Sequence, residues 1–269
     1  MENYFYGFYD GRFLKTHINE CIKQFSPDQV VMVSLVGSQN YNLDTRTSDY
    51  DSKCCILPSW KDIILAHQPY SHTHILENGE HIDFTDFREM MKILKKQNIN
   101  FLEQLFSSQY YVNEIYGNEI EQLRNHREEI AHYNPCKCVQ TMAGIAKSKE
   151  SRIFRKLSEE KNADFDKYGY HPKELMQLMR IEEFLKRYID GVPFEQCLRT
   201  EQRNELLRIK TGLFTKGVAE RYTEESVAHV KEMEKSFLAS HEIFACPAID
   251  VLMEEATESI FKKYLKKYI

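Results

Sequence analysis

Two carboxylates, Asp49 and Asp51, close the segment Leu35-Val36-Gly37-Ser38-Gln39-Asn40-Tyr41-Asn42-Leu43-Asp44-Thr45-Arg46-Thr47-Ser48-Asp49-Tyr50-Asp51. On a strand, residues i and i+2 point to the same face, with alpha carbons roughly 6.5 to 7 Å apart. Carboxylates so placed can share hard divalent cations. Two such ions about 3.5 to 4 Å apart can clamp the attacking and leaving oxygens of a phosphoryl transfer. Gly37 lets a backbone approach a phosphate, Ser38 adds a hydroxyl, and the amides opening a helical turn add an anion site. Taken alone, Ser-Asp-x-Asp also suits a solvated turn before an edge strand, and Ser38 also suits a helix cap.

The elements that must position these groups are legible around them. Val30–Val36 is a continuous apolar, β-branched run, as a buried strand should be, and it stops at Gly37. A short helical segment is expected after Gly37-Ser38. A second strand is expected over about Tyr50–Leu57. A third covers about His72–Glu77, and Asn78-Gly79 signals a hairpin into a returning strand over Glu80–Thr85. On that strand Asp83 alternates with apolar Ile82 and Phe84, which sends it to the other face. Asp86 opens a helix as an N-cap. Phe13–Phe25 carries its apolar residues on one helical face. From Pro135 onward the chain reads as helices, with prolines 135, 172 and 247 in first turns. The polar stretch over residues 158–169 reads as a loop. The expected fold is α+β, a small mixed-sheet core over residues 1–130 and a helical domain over 131–269.

Composition narrows the classes. The 269 residues are 42% hydrophobic with 16 Phe and 16 Tyr, which excludes global disorder. A net charge of −5 and a pI near 6.1 exclude a strongly basic nucleic-acid coat protein. No apolar stretch approaches the roughly 20 residues of a membrane span. The N-terminal MENYFYGFYDGR has no basic n-region and does not read as a signal peptide. Seven scattered cysteines without a CxxC pair suit neither a zinc site nor a disulfide framework, so a reducing cytoplasm is expected. There is no Walker A sequence and no HExxH.

Gly37-Ser38, the following short segment and Asp49-x-Asp51 resemble the signature of the DNA polymerase β-like nucleotidyltransferase superfamily. That signature continues with a third acid on a later strand, and the resemblance gives this part to Asp83. Tyr41, Leu43 and Ser48-Asp49-Tyr50-Asp51 look like the predicted-nucleotidyltransferase branch that includes RNA-ligase-associated polymerases. So do Asn98-Ile99-Asn100-Phe101-Leu102-Glu103 and Lys167-Tyr168-Gly169-Tyr170-His171-Pro172-Lys173 running into Arg180. Met176-Gln177 departs from the branch, which usually has a His near Arg180.

The resemblance implies transfer of NMP from an NTP, ATP foremost, to an acceptor hydroxyl, with an RNA or DNA 3′ end as acceptor. Asp49, Asp51 and Asp83 would bind Mg²⁺ or Mn²⁺, and Gly37 and Ser38 would cradle phosphates. It also implies a basic contact to triphosphate or nucleic acid from the helical half, for which Lys147 and Lys173 are the candidates. Lys149, Arg152 and Lys156 share a helix face that a solvated surface explains equally well. Glu103, after two apolar residues, reads as a buttress. Two rival readings stay open: modification of a small molecule or a protein, and a non-catalytic nucleotide-sensing or antitoxin-like module. An intact set of three acids speaks against the second.

Overall fold

Strand β1 (Val30–Val36) is buried along its whole length, which is why its sequence is a run rather than an alternation. The computed structural model that contains it describes residues 13–157 and 162–268. The N-terminal segment read for a leader and residues 158–161 of the polar stretch lie outside the described residues. Four more strands, β2 (Asp51–Ile56), β3 (Ser71–Ile75), β4 (His81–Asp86) and β5 (Tyr110–Val112), complete a sheet of order β3-β4-β2-β1-β5. β1 runs antiparallel to β2 and β5, β2 parallel to β4, and β3 antiparallel to β4. The Asn78-Gly79 hairpin is present, and Gly79 supplies the positive φ of +87° that its turn requires.

One side of this sheet carries the apolar core. Helix α1 (Phe13–Gln24) lays Leu14, Ile18 and Cys21 against Val33, Cys54, Ile56, Ile82 and Phe84. Burying such side chains is worth about 1.5 to 3 kcal/mol for each of the larger ones. Strand alternation then decides where the polar residues go. With Cys54, Ile82 and Phe84 turned to α1, the side chains of Asp51, Lys53 and Asp83 face the opposite way. Helices α2 (Trp60–Ile64), α3 (Phe87–Lys95) and α4 (Ile99–Phe106) follow, and α5 (Gly117–Asn125) and α6 (Arg127–Ala131) come after β5.

The helical part consists of α7 (Pro135–Ile153), α8 (Ala163–Tyr168), α9 (Pro172–Ile189), α10 (Phe194–Leu198), α11 (Arg203–Lys210) and α12 (Lys216–Ser240). The last helix is α13 (Pro247–Leu265). In α9 the buried set Leu175, Leu178, Ile181, Phe184 and Leu185 recurs at helical spacing. Helix α8 occupies six of the twelve residues expected to be a loop. Its polar residues are exposed on a single-turn element that Gly169, at φ +74°, terminates.

The described residues up to Asn40, with Asp44–Tyr133 and everything from Ala245, form one unit; Tyr41–Leu43 and Asn134–Phe244 form another. The sequence suggested a single division near residue 130. Helix α13 instead returns to the first unit, where Lys263 Nζ lies 2.6 Å from Glu119 of α5 and Lys95 Nζ lies 2.6 Å from Asp250. The seven cysteines are free thiols, six of them buried. The Cys136 thiol donates to the carbonyls of His241 and Glu242, which accounts for half of the close Cys136/Cys138 spacing. Among the described residues, no helix is long and apolar enough to cross a membrane.

Candidate active site

The parallel register of β2 and β4 pairs Lys53 with Asp83. It sets Asp51 two residues before Lys53 on the same face. Asp51 Oδ1 accepts from the backbone N–H of His81 at 3.2 Å, and the His81 ring lies 3.9 Å from it. Asp83 is held more firmly. Its Oδ2 accepts from Lys53 Nζ at 3.0 Å and its Oδ1 from the Thr73 hydroxyl at 2.6 Å. Burial pushes the Asp83 carboxyl up, but the Lys53 ammonium and the Thr73 hydroxyl outweigh it, so the carboxyl lies below its ordinary range. Lys53 itself is buried, 8% exposed, with its ammonium 4.5 Å from the centre of the Phe101 ring. The sequence reading passed over Lys53. Its signal was the i+2 spacing from Asp51, which puts a cation on the face of the acids.

Asp49 is placed differently from the expectation of two acids sharing one strand face. β1 ends at Val36, opposite Asp51, so β2 begins at Asp51 and Asp49 precedes it. A turn closed by Ser48 N–H to the Thr45 carbonyl leads into it. The Asp49 side chain is exposed, while its carbonyl accepts from Gln39 Nε2 at 3.1 Å.

After Gly37-Ser38 the chain makes one 3₁₀ turn, Gly37–Gln39, rather than a longer helix. Gly37 has φ +84°, where a side chain would be strained, and the space a Cβ would occupy has no neighbour within 4 Å. Its N–H donates to Glu103 Oε2 at 3.0 Å, and Asn40 Nδ2 donates to the same oxygen at 3.0 Å. Glu103 is 2% exposed. The buttress read from the sequence is thus a buried carboxylate of α4 that grips the turn at both ends. The Gly37 amide is thereby committed to Glu103, and what Gly37 leaves open is its side-chain space. The Ser38 hydroxyl donates to Gln39 Oε1 at 3.2 Å. Asp86 takes the structural part assigned to it, accepting from Arg88 N–H at 2.8 Å as the N-cap of α3.

Lys147 on α7 and Lys173 on α9 belong to the helical unit and are exposed. Lys149 and Arg152 do not form a free basic face: both pair with Glu174, at 3.0 and 3.2 Å. The 167–173 segment is a clamp. The Tyr168 and Tyr170 hydroxyls donate to the carbonyls of Thr211 and Phe214, each at 3.1 Å, and His171 Nε2 lies 3.0 Å from the Arg155 carbonyl. Gln177, where the branch usually has a His nearby, accepts from Arg180 Nε at 3.1 Å, and the Arg180 guanidinium stacks 3.8 Å from the Tyr41 ring.

On the α1 side of the sheet, His17 bridges Ser52 at 2.7 Å and Glu80 at 3.2 Å. Ser52 is 1% exposed, so this array ties α1 to the sheet and offers no nucleophile to a substrate.

Among the described residues, no three His, Cys, Asp or Glu side chains already form a metal cage. The donor chemistry nevertheless fits a hard divalent cation. Asp51 and Asp83 are 46% and 40% exposed in their side chains, both are oxygen ligands, and they share a face.

The match of a family model over residues 14–248 places the chain in the class of polymerase β-like nucleotidyltransferases, and a mixed sheet entered through a glycine turn accords with it. Within it, the chain belongs to the RlaP family, described as the RNA repair pathway DNA polymerase beta family, which matches residues 14–248. No curated protein matches the chain.

Proposed function

We propose that this chain is a metal-dependent nucleotidyltransferase that moves NMP from an NTP, ATP foremost, to the terminal hydroxyl of a nucleic acid, an RNA 3′ end in preference to DNA. The observation that carries the reading is the pair Asp51 and Asp83 on one face of adjacent parallel strands. Asp49, Asp51 and Asp83 would hold Mg²⁺ or Mn²⁺. Such an ion, when bound, neutralises charge on the triphosphate and on the entering and leaving oxygens. The Gly37 turn gives the triphosphate room where a side chain would stand, and Ser38 offers it a hydroxyl. Asp83, ionised at neutral pH, accepts a hydrogen bond from the acceptor hydroxyl and helps draw off its proton. Positioning and charge neutralisation then carry most of the rate. Lys147 and Lys173 are the proposed contacts to the triphosphate or the nucleic-acid strand, and the cytoplasm is the proposed location.

The test is incubation of α-labelled NTPs with Mg²⁺ or Mn²⁺ and a pool of 3′-hydroxyl RNAs. Wild type should label the RNA, and Asp51→Asn should lose at least about a thousandfold of that rate with an unchanged circular dichroism spectrum. Undiminished labelling by Asp51→Asn would overturn the assignment. NTP binding without any product would make the chain a binding module. Affinity for RNA should fall steeply between 50 and about 200 mM salt.

A further inference from the structure

Lys53 has no part in the reading above, yet its placement is specific. It is a lysine on a central strand, 8% exposed, and a buried ammonium requires a partner. That partner is Asp83, at 3.0 Å, and the ring of Phe101 closes over the ammonium at 4.5 Å. The other Asp83 oxygen is fixed by Thr73. The carboxylate is therefore oriented and paired with a cation by the protein alone.

We propose that Lys53 is the internal counter-ion of the acid cluster: a positioning residue that holds Asp83 in the metal-free protein and lowers the affinity of the site for divalent cations. This rests on the reading of Asp49, Asp51 and Asp83 as metal ligands. Charge arithmetic gives the reason. Three carboxylates contribute −3 and Lys53 +1, leaving −2, which a single divalent cation balances. With a hydrophobe in place of Lys53 the cluster carries −3 and draws cations more strongly, and Asp83 loses the donor that orients it.

The experiment is calorimetric titration of the full chain with Mn²⁺, without nucleotide, at low ionic strength, for wild type, Lys53→Met, Lys53→Gln, Lys53→Arg and Asp51→Asn. Lys53→Met and Lys53→Gln should bind Mn²⁺ roughly tenfold more tightly than wild type, and the gain should shrink in about 0.5 M salt. Lys53→Arg, which keeps the charge, should bind as wild type does. A merely structural lysine would give unchanged or weaker binding in the neutral variants, and that result would overturn the proposal. Asp51→Asn separates the two levels: if it binds Mn²⁺ as wild type does, the metal reading itself fails, whatever the Lys53 variants do. Should the neutral variants not fold, the unaltered protein supplies the measurement. The Lys53 ¹⁵Nζ resonance, assigned by its loss in Lys53→Arg, should shift on Mg²⁺ titration, and a resonance unmoved at saturation would overturn the proposal.

Discussion

Glu103 is the residue on which the Gly37 turn depends. A buried carboxylate accepting two N–H donors makes charge-assisted bonds, which are stronger than neutral ones. Glu103→Ala leaves the Gly37 amide and the Asn40 side chain without this acceptor. It should cost about 2 to 3 kcal/mol of stability, read by urea unfolding. Glu103→Gln keeps an acceptor oxygen and should cost about 1 kcal/mol. Because the turn is loosened and the acids are untouched, the alanine variant should raise KM for NTP more than it lowers kcat. An unchanged KM would show that the turn does not contact nucleotide. At this scale the sequence was unevenly legible. The strand-face placement of Asp51 and Asp83 and the cap at Asp86 were readable because strand alternation and capping constrain them locally. The pairing of Lys53 with Asp83 was not, since the two are thirty positions apart and only the parallel pairing of β2 with β4 joins them. Nor was the placement of Asp49, which follows from where β1 stops.

Among the elements, α13 shows how side-chain charge docks a helix. Glu119 accepts from Lys263 at 2.7 Å and from Ser259 at 2.6 Å, and Asp250 accepts from the Tyr133 hydroxyl at 2.9 Å. Burial raises the Glu119 carboxyl, but Lys263 and Ser259 bring it below its ordinary value; the Lys95 hydrogen bond lowers that of Asp250. A carboxyl depressed in the folded state stabilises fully above its unfolded pKa, about 4, and loses that contribution as pH falls through the native value. Glu119→Gln should therefore lower stability by about 1 to 2 kcal/mol at pH 6. The gap between its thermal melting and that of wild type should narrow progressively as pH falls below about 4. A gap that does not narrow on acidification would place the effect outside this ion pair. The existence of most helices and strands was readable from periodicity. The partner of α13 was not, because the stripe Ile249, Met253, Ala256, Ile260 and Tyr264 states that one face is buried without stating against what. Helix α8 was missed for a related reason: six polar-rich residues carry no periodic signal.

At the scale of the whole molecule, the first unit is discontinuous in sequence. A boundary drawn at residue 130 would offer residues 1–130 as a self-sufficient core. The five buried residues of α13 argue against that, since their removal uncovers the surfaces of the first unit on which they pack. A chain ending at Phe244 should lose several kcal/mol. It should also bind a hydrophobic dye such as ANS more strongly and melt in the first unit before the second. Full stability in that truncated chain would show α13 to be dispensable. The same arrangement orders the events of synthesis. A ribosome adding about 5 to 20 residues per second releases the five strands early, then spends further seconds on residues 134–244 before α13 emerges. Through that interval α5 and the Glu114–Tyr116 turn, on which α13 packs, wait without their cover while residues 134–244 are made. A chain stalled short of α13 therefore leaves the ribosome with the apolar face of α5 in the first unit still uncovered.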